Sequence, residues 1–201
     1  MWIKICGMTS AAAVTTALEQ GVDAIGFVFA PSVRQLDPAR ASALAAPARG
    51  RVACVAVTLH PTQAQVEDIL GGFRPDVLQT DHLDLAALRL PASLALLPVL
   101  RASAAADTDA LPGTLPPRIL FEGPRSGTGL ATDWRQAARL AGCTQLVLAG
   151  GLTAVNVREA IAQVRPYGVD VSSGVEAAPG RKDPLRIVEF VQAARAAPAG
   201  D

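Results

Sequence analysis

Lysine is almost missing: among 201 residues it occurs only at Lys4 and Lys182. Aromatic side chains make up 4% of the chain, too few for the base-stacking surfaces of a nucleic-acid binder. Formal net charge is zero, so no basic field draws nucleic acid or an anionic membrane. Three cysteines, at 6, 54 and 143, have no metal-ligand spacing such as C-x-x-C. An odd, widely spaced set fits reduced thiols in the cytoplasm. The first residues carry a lysine inside a strand pattern, not the charged-then-apolar order of a signal peptide. The longest apolar run, Leu94 to Leu100, is broken by Pro98 and is too short to span a bilayer. The expectation is a cytoplasmic protein with a small-molecule partner and neither nucleic acid nor membrane.

What is present begins at the first nine residues, M-W-I-K-I-C-G-M-T. Ile3 and Ile5 alternate with Lys4 and Cys6, so a strand puts Lys4 and Cys6 on one face. Gly7 breaks the strand, and Thr9 or Ser10 can cap a following helix. A thiol therefore sits at a strand tip. A cysteine in an apolar strand is usually an inert packing residue, which is the expectation for Cys54 and Cys143. Position is what singles out Cys6.

Strand patterns recur at 24–29, 52–59, 76–79, 94–101, 118–122, 145–149 and 168–171. Helical patterns fall between them at 10–20, from Asp37-Pro38, at 62–70, 83–90, from Asp133-Trp134, at 153–164 and at 183–197. The stretch 102–117 fits at most one short helix. Half of the residues are apolar, enough for one domain over 1–201, with a frayed tail at 196–201. Strict alternation implies right-handed crossovers and a parallel sheet. Eight units of about 25 residues close into a compact (β/α)8 TIM barrel with short loops, near the lower size limit of that fold. An open doubly wound sheet is the alternative, but its dinucleotide fingerprint is absent after the first strand.

In such a barrel the strand tips face one mouth. The tips carry Cys6, the loop to Arg34, Thr58 to His60, Gln79 to His82, Arg101, Glu122 with the loop to Gly129, Gly150-Gly151, and Ser172-Ser173-Gly174. A thiol, a carboxylate, two arginines and glycine-rich loops suit acid–base chemistry on a phosphorylated anion. Small residues after strands seven and eight let backbone amides approach phosphate. Arg34 can grip a carboxylate with its fork. His60 and His82 read as surface residues; Asp81 reads as exposed by the same logic but, following a strand tip, remains a candidate. Lys4 and Asp170 are expected to form a buried pair beneath Cys6, the ammonium favouring the thiolate.

These residues resemble the phosphoribosylanthranilate isomerase family. The matching stretches are K-I-C-G-M-T at 4–9, D-A-I-G-F-V-F-A-P at 23–31, S-V-R at 32–34, S-G-T-G at 126–129 and D-W at 133–134. They continue with L-V-L-A-G-G-L-T at 146–153, N-V at 156–157, V-D-V-S-S-G-V-E at 169–176 and P-G-R-K-D at 179–183. The resemblance implies an Amadori rearrangement of N-(5-phosphoribosyl)anthranilate in tryptophan biosynthesis, with no cofactor and no metal. It implies Cys6 as general base and Arg34 as the clamp on the anthranilate carboxylate. It places phosphate at the loops holding Gly127, Gly129, Gly150, Gly151, Ser172, Ser173 and Gly174. Arg101 stands where the family has lysine, and Asp170 is grouped with the substrate-binding residues. The family's general acid is an aspartate ending strand six; Glu122 stands there instead. The family's glutamine, leucine, histidine and glycine at the fourth tip are replaced by Q-T-D-H at 79–82. A monomer or homodimer is implied. Other readings are a diverged phosphosugar-binding barrel without turnover and a different aldose–ketose isomerase.

Overall fold

The computed structural model describes residues 1–102, 115–123 and 133–197. Eight parallel strands close into a barrel: β1 (Trp2–Cys6), β2 (Ala24–Val28), β3 (Ala53–Val57), β4 (Val77–Asp81), β5 (Ala95–Arg101), β6 (Arg118–Glu122), β7 (Gln145–Leu148) and β8 (Gly168–Val171). Closure is made by β8 pairing with β1, where Lys4 lies opposite Asp170. Among the described residues the helices are α1 (Ala11–Glu19), α2 (Pro38–Ala45), α3 (Gln63–Gly72), α4 (Trp134–Ala141), α5 (Val157–Val164) and α6 (Pro184–Arg195). None is long and apolar enough to cross a membrane.

Local chemistry starts these helices. Ser10, Asp37, Asp133 and Asp183 each accept a backbone N–H of the first turn. Pro38 and Pro184 occupy first-turn positions that need no donor. Thr62 and Gln65 form a reciprocal capping box. Three expectations are corrected. α3 runs through Gly71 and Gly72 instead of stopping there. α5 begins at Val157, because Asn156 Oδ1 first accepts the Thr153 amide in a turn. The 83–90 stretch is a 3₁₀ helix over His82–Ala87. The expected short helix within 102–117 falls largely outside the described residues, as does the tail from 198.

Two apolar layers hold the barrel. Outward strand residues such as Ile3, Ile5, Ile25, Phe27 and Leu78 pack under the helices. Leu97, Val99, Leu120, Val147 and Ala149 fill the interior with Trp2 and Val77. Above that plug the inward positions turn polar: Lys4, Gln79 and Asp170 are buried. The barrel thus has an apolar floor and a polar mouth at the C-terminal strand ends.

After β8 the chain makes a small antiparallel hairpin, β9 (Glu176–Ala178) and β10 (Arg181–Lys182). Gly180 turns it at φ +77°, and a Cβ there would sit 2.7 Å from the Val33 carbonyl oxygen. The hairpin is therefore pressed against the loop that carries Arg34.

Candidate active site

Cys6 ends β1 and points inward with Lys4, as period-two alternation requires. Gly26 lies beside Cys6 in register. A Cβ at position 26 would stand 3.0 Å from Cys6 Sγ and 3.2 Å from Lys4 Cε. A glycine here makes the space that both side chains fill. Lys4 Nζ donates to Asp170 Oδ1 at 2.8 Å, with the lysine wholly buried. Burial pushes Lys4 down, but Asp170 and Cys6 outweigh it and the net direction is up.

The thiol departs from expectation. Burial pushes Cys6 up, Lys4 pulls it down, Asp170 raises it and Lys182 lowers it; the net direction is above its ordinary 9.0. Lys4 acts in the expected sense, but desolvation wins. Burial thus works against the thiolate of Cys6 in the free protein.

A second group joins the β2–α2 loop to the β9–β10 hairpin. Arg34 Nε and Nη2 donate to the two Glu176 oxygens at 2.7 and 2.8 Å. Lys182 Nζ donates to Glu176 Oε1 at 2.7 Å, to the Ser172 carbonyl at 3.0 Å and to Ser172 Oγ at 3.2 Å. Burial pushes the Glu176 carboxyl up, yet the hydrogen bonds from Arg34 and Lys182 outweigh it and bring it from 4.5 to about 2. The Glu176 hydrogen bond raises Arg34, while burial lowers Lys182 against the pull of Glu176. Arg34 thus reaches the mouth already oriented. Glu176 and Lys182 were not singled out from the sequence. The scarcity of lysine and the P-G-R-K-D match at 179–183 are the signals that point to position 182.

A third group spans β4, β5 and β6. Arg101 Nε donates to Asp81 Oδ1 at 2.9 Å, and Arg101 Nη1 lies 2.8 Å from Glu122 Oε1. β4 ends two residues later than expected, so Asp81 is a buried strand residue and not an exposed loop residue. His60, at φ +47°, is exposed but has partners: Nδ1 is 2.8 Å from Asp84 Oδ1 and Nε2 is 3.6 Å from Asp81 Oδ2. The Asp84 hydrogen bond raises its pKa. His82 is half-buried, with Nδ1 enclosed and unpaired among the described residues. His60 is thus at the surface as expected, though with carboxylate partners, while His82 is not a surface residue. Cys54 is buried, and burial pushes it up to about 11; Cys143 is exposed rather than packed.

The last two tips keep their loop character. Gly150 and Gly151 adopt φ +89° and +67°. Ser173–Val175 is a 3₁₀ turn, whose first amides have no acceptor within the turn. A Cβ at Gly174 would lie 1.9 Å from the Leu152 carbonyl oxygen, so this turn sits directly on the Gly151–Leu152 loop. Gly127 and Gly129 lie outside the described residues.

These parts enclose a cavity of about 380 Å³ lined by Cys6, Arg34, Gln79, Arg101, Glu122 and Asp170, with Ser172 at its edge. Val28, Pro31, Val57 and Leu59 add an apolar wall to its lining. A wider hollow of about 590 Å³ lies at the other end of the barrel. There Asp23 and Asp76 accept the Ile3 and Cys54 amides, which is strand-start capping.

The family model for N-(5'-phosphoribosyl)anthranilate isomerase matches residues 3–193. The chain belongs to the phosphoribosylanthranilate isomerase family. A curated N-(5'-phosphoribosyl)anthranilate isomerase of Nitrobacter hamburgensis is 42% identical, over 97% of this chain and 93% of that protein. The crystal structure of TrpF from Jonesia denitrificans is 37% identical with a TM-score of 0.79, covering 97% of each chain. A phosphoribosylanthranilate isomerase crystallised with reduced 1-(o-carboxyphenylamino)-1-deoxyribulose 5-phosphate is 31% identical with a TM-score of 0.79, over 97% of this chain and 98% of that one. As a phosphoribosylanthranilate isomerase the protein is an isomerase of tryptophan biosynthesis on a TIM barrel.

Proposed function

We propose that this family member turns over N-(5-phosphoribosyl)anthranilate with Cys6 as general base and Glu122 as general acid. The observation that carries the reading is the single cavity that holds Cys6, Glu122 and Arg34 together. The phosphate is held by the amides at Gly150-Gly151 and Ser172-Ser173-Gly174, joined by the loop of Gly127 and Gly129. The anthranilate ring lies on the apolar wall, with its carboxylate on Arg34. Glu122 gives its proton to the furanose ring oxygen. The C1–O bond breaks as the nitrogen lone pair forms the iminium. As the iminium forms, Cys6 releases its own proton to solvent; the thiolate then removes the C2 proton, and that electron pair makes the C1=C2 bond of the enolamine while the C1=N pair returns to nitrogen. Proton loss from the enol oxygen and proton gain at C1 give the ketone.

The raised Cys6 thiol has a physical place in this scheme. Lys4 and Lys182 oppose the burial penalty in the free protein. The iminium adds a positive charge beside the sulfur at the step that needs thiolate. Asp170 fixes Lys4 and borders the substrate. The solved neighbour carrying a reduced product analogue supports a small-molecule ligand in this cavity. A further solved neighbour, 30% identical, consists of monomers generated from the dimeric enzyme of Thermotoga maritima, which supports a monomer or homodimer. We place the protein in the cytoplasm, as one domain over 1–201.

A diverged binder would hold the reduced product analogue and leave the substrate unchanged. Purified protein is expected both to bind that analogue and to convert freshly made substrate. Binding without conversion overturns the reading.

A further inference from the structure

Asp81 has no part in the scheme above, yet it is a buried carboxylate at the mouth, 8% exposed. It faces Val99 across the β4–β5 pair, one pleat below Arg101. Arg101 in turn lies directly opposite Glu122 across the β5–β6 pair. One guanidinium therefore bridges two carboxylates, through Nε to Asp81 at 2.9 Å and Nη1 to Glu122 at 2.8 Å. Among the described residues the other charged groups around Asp81 are His60 from the β3–α3 loop, at 3.6 Å, and Asp84 from the turn after β4, which holds that histidine.

We propose that Asp81 is a positioning residue for the isomerisation: it anchors Arg101 by Nε and shares its charge, so that Glu122 meets the substrate as an acid. This rests on the reading of Glu122 as the general acid. The argument is one of charge. With Asp81 ionised, the Asp81–Arg101–Glu122 triad is neutral when Glu122 carries its proton and −1 when it does not. With Asp81 neutralised, the triad is +1 and 0 in those two states. Positive charge beside a carboxyl favours its ionised form, so loss of the Asp81 charge drains the acid. Geometry adds to charge: Asp81 holds Arg101 by Nε, which sets the direction from which Nη1 meets Glu122 Oε1 on the neighbouring strand. A glutamate has one more rotatable bond than the aspartate of related sequences, and a fixed partner limits where its carboxyl goes.

The test is the pH profile of kcat/KM for Asp81→Asn and Asp81→Glu beside the wild type. With the thiol raised above 9.0 and the carboxyl titrating below it, the acidic limb reports Glu122. Asp81→Asn is expected to move that limb down by about one pH unit, with KM nearly unchanged, and Asp81→Glu to restore it. Should Asp81→Asn fail to fold, Asp81→Ser carries the same test. An unmoved limb with a lowered Tm would make Asp81 merely structural and overturn the inference. Glu122→Gln separates the two levels. If it is inactive while the Asp81→Asn limb stays put, only the inference falls. If it keeps full activity, the acid reading and the inference fall together.

Discussion

At the residue scale the decisive contest is between burial and charge at Cys6. The thiol is 6% exposed and lies beside a wholly buried lysine. The pattern I-K-I-C made the shared face of Lys4 and Cys6 legible, and barrel closure made the Asp170 partner legible too. The sign of the net shift was not, since it depends on how completely the helices and the β9–β10 hairpin seal the strand tip. Replacing Lys4 with Met is expected to raise the Cys6 titration further, because the largest opposing charge is lost. In a Cys54→Ala, Cys143→Ser background, thiolate absorbance against pH reads Cys6 alone. The same substitution leaves Asp170 buried and unpaired, so denaturant unfolding should show a loss of about 3–5 kcal/mol. An unchanged thiol titration would remove Lys4 from the account of the base.

At the element scale the β9–β10 hairpin is what readies Arg34. It sets Glu176 between Arg34 and Lys182, and Gly180 lets it lie on the Val33–Arg34 backbone. Sequence patterning shows strands and helices by their periods, but a two-residue strand such as Arg181–Lys182 has no period to detect. That is why Glu176 and Lys182 went unassigned although both lie in quoted motifs. A similar limit applies at β4, where Thr80-Asp81 reads as a polar turn until barrel closure buries it. Glu176 also makes stability depend on pH. Its folded value is depressed to about 2 from 4.5. The unfolded chain therefore binds the proton first as pH falls. The stabilisation is fully present above about pH 4.5 and is lost as pH drops towards 2. Urea midpoints for the wild type should fall over that window, and Glu176→Gln should show a smaller fall from a lower starting point. Parallel acid curves for the two proteins would contradict the pairing.

At the scale of the whole molecule, function depends on closure. Cys6 on β1 and Glu122 on β6 are 116 positions apart by their numbers, yet they line one cavity once β8 pairs with β1. The alternation of short apolar runs with capped helices made the barrel legible. The boundaries that moved lie at strand and helix ends, where tertiary contacts decide whether one more residue joins. The site was legible as a ring of tips, because the fold places chemistry there. What the tips say to each other was not legible: the Asp81–Arg101–Glu122 bridge is a matter of register between neighbouring strands. The central claim is that this ring works as one acid–base pair on a phosphoribosyl anthranilate. The most direct test is the rate of fluorescence loss from freshly made N-(5-phosphoribosyl)anthranilate with the wild type, Cys6→Ala and Glu122→Gln side by side. The account predicts rapid decay with the wild type, slowed by about 10²–10⁴-fold in each variant, with binding of the reduced product analogue retained. Decay that survives Glu122→Gln or Cys6→Ala at the wild-type rate would contradict it.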